Sequence, residues 1–169
     1  MRLRPATAED IPLLKRWDEN PHVAAAGGGD DWYDWDAEVP RDAAWGELLI
    51  AELDGRPIGV MEICNPAEEP SHYWGEVEAD LRAIDIWIGD AADLGRGYGT
   101  QMMRIALDRC FADARVKAVI IDPLESNVRA RRFYERLGFR FVERRRFEHE
   151  DCIVYRLNRE DYARLAGSR

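Results

Sequence analysis

Apolar residues recur along this chain with two periods, and the switches between them mark its elements. The opening RLRPA is a short strand, and TAEDIPLLKRW begins a helix, with Thr7 as N-cap and Asp10 three residues on. Residues 21–45 hold consecutive glycines followed by alternating acids and aromatics, which predicts a mobile loop passing into a helix. ELLIAEL and IGVMEIC read as the arms of a hairpin, with Asp54-Gly55 as its turn. A polar, Pro-containing excursion over 65–80 leads to RAIDIWIG, a strand in which residues 84, 86 and 88 share one face and Asp85 and Trp87 the other. From about Gly97 to Phe111, apolar residues at 98, 102, 103, 106, 107, 110 and 111 form one helical face.

VKAVIID is a nearly continuous β-branched run, which suits a strand buried on both faces. SNVRARRFYERLGF is the next helix, with Ala130, Phe133, Tyr134 and Leu137 on one side and Gly138 as its terminating glycine. FRFVERRRF and DCIVYRLN close the chain as an antiparallel pair of strands. No repeat and no linker interrupts the pattern. Residues 1–169 therefore read as a single α/β domain with a mixed sheet.

Composition narrows the function classes. The charged N-terminal residues lack the apolar run of a signal peptide, and no stretch approaches a membrane span, so a cytoplasmic protein without a membrane partner is expected. The three cysteines, at 64, 110 and 152, are widely spaced and share no ligand spacing with the histidines, so neither a disulfide nor a metal is expected. A net charge of −9 argues against a nucleic-acid partner. Its distribution is uneven. Residues 68–93 carry eight acids against Arg82 alone, and 129–146 carry eight arginines against Glu135 and Glu143. Two solvated faces would explain these runs; so would a cationic substrate near the first and an anionic cofactor near the second.

DLGRGYGT, at 93–100, follows a strand and opens a helix. Glycines there allow positive φ, so successive N–H groups can converge beside a helix N-terminus and bind an anion. A Walker loop is excluded by the absence of Gly-Lys-Ser/Thr, and GxGxG is not the GxGxxG of a dinucleotide site. What changes its meaning is the second segment. LGRGYGT together with NVRARRFYERLGF resembles the paired motifs of the GNAT superfamily of acyl-CoA N-acyltransferases. The opening LRPATAEDIPLLKRW and the DGRPIGVMEI hairpin extend the resemblance over nearly the whole chain. Leu94 stands where that pattern has Gln or Arg, a tolerable change if backbone N–H groups are the main phosphate ligands. PHVA, HYWGEVEADLRAIDIWIGDAADLGRGYGT and IIDPLESNVRARRFYERLGF are most similar to the aminoglycoside 6'-N-acetyltransferases, while 27–36 and 66–73 match that pattern poorly.

The resemblance implies a mixed, mostly antiparallel sheet with splayed central parallel strands, flanked by helices. It also implies direct acetyl transfer from acetyl-CoA to an amine of a cationic small molecule, by a monomer or a homodimer. The cofactor's diphosphate would lie on Gly95, Arg96, Gly97, Tyr98, Gly99 and Thr100. Its pantetheine arm would pair with the strand at Ile86, Trp87 and Ile88, where a backbone N–H would also meet the thioester oxygen. Asn127 and Arg129 would support the cofactor, although Asn127 or Ser126 would equally serve as a helix cap. Tyr134 would protonate the departing thiolate, or simply pack in the core. Asp85 is the candidate base and Asp122 the candidate substrate anchor, with a turn-forming Asp before Pro123 as the other reading. Trp74, Glu76, Glu78 and Trp32 would add substrate contacts; for Trp32, Asp34 and Trp35, a loop packed on the core serves nearly as well. An N-acyltransferase of siderophore precursors, a protein or peptide N-acetyltransferase, a non-catalytic acyl-CoA sensor and a nucleotide site at GRGYG are the competing readings.

Overall fold

The computed structural model describes residues 1–27, 34–39 and 44–167. Among these residues seven strands, β1 (Arg2–Pro5), β2 (Gly46–Leu53), β3 (Arg56–Cys64), β4 (Leu81–Ile88), β5 (Ala118–Ile121), β6 (Arg140–Phe147) and β7 (Glu150–Asn158), pair in the order β1-β2-β3-β4-β5-β7-β6. β4 and β5 are parallel, through Leu81 with Ala118 and Ala83 with Ile120. β1–β2, β5–β7 and β6–β7 are antiparallel. The expected mixed, mostly antiparallel sheet with flanking helices is what the chain forms. Its backbone falls into two compact units, Met1–Ile63 with Asp85–Ala106, and Cys64–Ile84 with Leu107–Arg169.

In the first unit, the N-terminal helix starts as the sequence signals. The Asp10 carboxylate accepts from the Thr7 N–H at 2.8 Å and from the Arg4 guanidinium at 2.7 Å. A short 3-10 turn at Ala8–Asp10 then leads into α1 (Ile11–Asp18), which buries Leu14 and Trp17. A second helix, α2 (Pro21–Gly27), follows where a loop was expected. Its first residue explains this, because proline is preset for a helix start and alanines at 24–26 sustain the turn. Leu14, Trp17, Val23, Trp35, Ile50, Val60 and Trp87 form one buried cluster. Enclosing each such large side chain contributes roughly 1.5–3 kcal/mol. Asp54 and Gly55 both take positive φ, 52° and 81°, as a two-residue hairpin turn requires.

The two faces of β4, which the alternation separates, are unequally enclosed towards its end. Ile84 is buried, but Ile86 and Ile88 are only half-buried, and Trp87 is buried at 6% exposure. Alternation separates two faces but does not say which one meets the core; here the indole of Trp87, packed 5.8 Å from Trp35, decides it. The helix after the glycine turn, α4 (Tyr98–Ala112), buries Met102, Met103, Ala106, Leu107, Cys110 and Phe111, the face the spacing marked.

In the second unit, β5 is buried along its whole length. α5 (Val128–Arg136) is capped by Asn127, whose side-chain oxygen accepts from the Ala130 N–H at 3.0 Å, and ends at Gly138 with φ 95°. β6 is largely exposed and arginine-rich, features that blunt a sheet edge. A C-terminal helix, α6 (Arg159–Gly167), was not foreseen. Its composition is polar, and Tyr162 is its buried residue. Tertiary contacts hold it: the Arg159 guanidinium donates to the carbonyls of Val116 (2.8 Å) and Phe111 (3.0 Å), and Tyr162 stacks 4.8 Å from Phe111.

Candidate functional site

The glycine turn has the geometry of an anion site. Gly95 and Gly97 have φ of 75° and 78°, and a Cβ at either would meet no atom within 4 Å, so their role is conformational and the turn faces open space. It leads directly into the 15-residue α4, where Gln101 is the first residue to reach back, its N–H donating to the Gly97 carbonyl at 3.2 Å. The preceding N–H groups of Tyr98, Gly99 and Thr100 have no acceptor within a helix that starts here. Gly95, Arg96 and Gly97 are exposed. Convergent donors, the positive end of a helix and a nearby cation fit the diphosphate of a coenzyme A ester.

Both ends of the link between β4 and this turn are pinned, by contacts the sequence did not reveal. Upstream, the Asn20 amide donates to the Gly89 carbonyl at 2.8 Å, and His22 Nε2 lies 2.9 Å from the Ile88 carbonyl. The Trp17 indole lies flush against Gly89. Downstream, Arg56 forks onto the buried Asp93 at 2.7 and 2.8 Å and holds that carboxyl below the usual range. Asp93 and His22 stand in the quoted motifs, but only the tertiary fold reveals their partners. Asp85 is half-buried on β4, on the strand face it shares with Trp87.

The second unit assembles a different group around Asp122, at the end of β5. The Tyr73 phenol donates to the Asp122 carboxylate at 2.6 Å. Burial pushes this carboxyl up to about 7, against the opposing pull of the Tyr73 hydrogen bond and the Arg145 charge. Cys152 lies beside it, its buried thiol pushed up to about 12 by desolvation and then by the Asp122 charge. Tyr73 is stacked on Phe147 at 4.5 Å, and Trp74 meets the same ring edge-on at 5.2 Å. Arg145 sits 4.7 Å above Phe147 and donates to the Trp74 carbonyl at 2.8 Å.

This arrangement changes the expected substrate contacts. Trp74 is 5% exposed and offers no open ring face, whereas Tyr73, which the sequence did not single out, is 41% exposed. Glu78 is engaged by Arg156 at 2.9 Å and Lys117 at 3.8 Å, while Glu76 is exposed. Trp32 lies outside the described residues. Trp35 is buried and its indole donates to Asp18, and the exposed Asp34 caps the short α3 (Trp35–Glu38), so core packing accounts for the first and capping for the second.

Tyr134 is buried on α5 between Phe133 and Phe139, with ring centroids 5.1 and 5.8 Å away. Asn127 is occupied as a cap, and Arg129 is exposed. Several members of the charge runs are taken up in ion pairs, among them Arg144 with Glu125, Arg140 with Asp161 and Asp80 with Lys117. The three cysteines are free and buried, and no group of three His, Cys, Asp or Glu suited to a metal occurs among the described residues.

Comparison with known proteins places this architecture. Residues 6–147 match the acetyltransferase (GNAT) domain family. Aminoglycoside N(6')-acetyltransferase type 1 of Klebsiella pneumoniae is 31% identical over 145 residues, covering 81% of this chain and 72% of its own. Lysine N-acyltransferase MbtK of Mycobacterium tuberculosis is 30% identical over 150 residues, covering 83% and 69%. The crystal structure of aminoglycoside acetyltransferase AAC(6')-Ib in complex with coenzyme A and kanamycin superposes with a TM-score of 0.87, at 27% identity, over 97% of this chain and 98% of that one. The chain belongs to the GNAT superfamily and is an acetyl-CoA-dependent acetyltransferase, close in sequence and fold to the aminoglycoside 6'-N-acetyltransferases.

Proposed function

We propose that this enzyme acetylates an amine of a multiply cationic small molecule, with the 6'-amine of an aminoglycoside as the leading acceptor. The observation that carries the acceptor is the half-buried carboxyl of Asp122, sited at a strand end and held by an exposed aromatic ring's phenol. A carboxyl raised to about 7 by burial gains most from an arriving ammonium, which pulls it into the charged form. The relatives whose names specify aminoglycoside acetylation support the same choice.

Acetyl-CoA supplies an acyl thioester. In this reading the N–H groups at 98–100, with Arg96, hold its diphosphate, and the edge of β4 at Ile86, Trp87 and Ile88 holds its pantetheine arm and the thioester oxygen. Asp122 pairs with the acceptor's charge. Asp85 takes the proton from the attacking nitrogen as the new N–C bond forms, and Tyr134 gives a proton to sulfur as the C–S bond breaks. The proton lost by nitrogen and the one gained by sulfur balance, so no covalent enzyme intermediate is needed. Residues 1–169 act as one catalytic domain, in the cytoplasm.

A second reading, acylation of a lysine-derived amine or hydroxylamine, is favoured by the match to the mycobacterial lysine N-acyltransferase. One assay separates the two. Thiol release from acetyl-CoA is followed with 6'-amine aminoglycosides, matched 6'-hydroxyl compounds, spermidine, hydroxylated lysine and short peptides. Turnover confined to the 6'-amine compounds supports the first reading. Turnover with hydroxylated lysine alone replaces it with the second.

A further inference from the structure

Tyr73 belongs to a segment whose sequence has little regular pattern, yet its position is closely determined. The Glu68 and Glu69 N–H groups donate to the Asn65 carbonyl at 3.0 and 3.1 Å, and the His72 N–H donates to the Glu69 carbonyl at 3.1 Å. The Glu69 carboxylate then accepts from the Ser71 N–H at 2.6 Å and the Ser71 hydroxyl at 2.7 Å. His72 and Gly75 take positive φ, 52° and 65°, and turn the chain on either side of Tyr73 and Trp74. The Tyr73 ring lies flat on Phe147, with an interplanar angle of 7°. So a chain of turns and one ring stack aim the phenol at Asp122.

We propose that Tyr73 is a positioning residue for the acceptor, its phenol holding one oxygen of the Asp122 carboxylate so that the group is aimed at the substrate ammonium. This rests on the reading of Asp122 as the acceptor's anchor. An ionised carboxylate can accept on about four lone-pair sites, so the 2.6 Å bond from Tyr73 to Oδ2 leaves capacity for a cation. Among the described residues, Arg145 from β6 and Cys152 from β7 also act on Asp122. Arg145 is committed to the Trp74 carbonyl and the Phe147 ring, and the Cys152 thiol stays protonated, so neither replaces the phenol as a close donor. Losing the phenol therefore loses charge on Asp122 as well as its orientation.

Tyr73→Phe keeps the stacked ring and deletes the donor, so the fold has no reason to fail. Asp122 is followed by carbon-13 NMR of labelled aspartate carboxyls, with Asp122→Asn identifying its signal. In Tyr73→Phe its titration should move up by about one to two pH units, the worth of a hydrogen bond to a charged group. The KM for kanamycin should rise by about tenfold at pH 7 on the same grounds. The variant-to-parent KM ratio should shrink as pH rises, while the KM for acetyl-CoA stays unchanged. An unmoved Asp122 titration overturns the role of Tyr73. A moved titration with an unchanged kanamycin KM at every pH shows instead that Asp122 is not the acceptor's anchor, which overturns the reading beneath it.

Discussion

Gly89→Ala tests whether the junction between β4 and the glycine turn is as tightly determined as its contacts imply. A Cβ at Gly89 would fall 1.9 Å from Trp17 Cε2, 2.1 Å from Cδ2 and 2.3 Å from Nε1. It is thus roughly 1.5 Å short of ordinary carbon–carbon contact. Neither side can give easily. The indole is fully buried among Leu14, Val23, Trp35 and Trp87, and the Gly89 backbone is held by its N–H to the Ile58 carbonyl at 2.9 Å and by Asn20 at its own carbonyl. Overpacking a filled core costs about 1–3 kcal/mol, and a clash with a rigid, enclosed ring belongs at the upper end, about 3 kcal/mol. For a domain of this size that lowers Tm by roughly 6–12 °C. Circular dichroism melts measure it directly. The reasoning also requires Trp17→Leu to suppress the effect, so that the two substitutions are strongly non-additive. A Tm within about 2 °C of the parent would refute the close approach.

Other outcomes follow from single groups. Tyr134→Phe should reduce kcat by about a hundredfold while the affinity for acetyl-CoA, measured by calorimetry, is unchanged; equal turnover removes Tyr134 as the acid. Gly97→Val forces a β-branched residue to a φ of 78° and should weaken acetyl-CoA binding by about tenfold or more, whereas Gly97→Asn, which tolerates that conformation, should do less harm. Desolvation pushes the folded Asp122 carboxyl up to about 7 from an ordinary 3.8, so the folded state should hold an extra proton between these values and lose stability as pH rises through them. In urea unfolding, the midpoint of Asp122→Asn should therefore gain on the parent from pH 4 to pH 7; a constant difference would show that the Asp122 carboxyl is not raised in the folded state.

Local patterns in this sequence had local consequences. Asp54-Gly55 made its hairpin turn, Asn127 and Gly138 bounded α5, and the seven apolar positions after DLGRGYGT marked one face of α4, six of them buried. These depend on backbone conformation and helical period within a few residues, which sequence displays directly. The paired motifs at 94–100 and 127–139 likewise sufficed for the family, because a phosphate cradle is mostly backbone and glycine spacing records it.

What tertiary structure alone decided involves partners distant in sequence. Nothing within 65–80 says that Tyr73 reaches Asp122 while Trp74 is enclosed, since that depends on Phe147 and Arg145 some 70 residues on. The alternation in β4 could not name its inner face until Trp87 met Trp35. α6 had too little apolar periodicity of its own, and the bonds from Arg159 to the carbonyls of Phe111 and Val116 hold it in place. Short-range order follows from the rotational freedom of single residues. The surroundings of a charged or aromatic side chain depend on which distant segments exclude water from it.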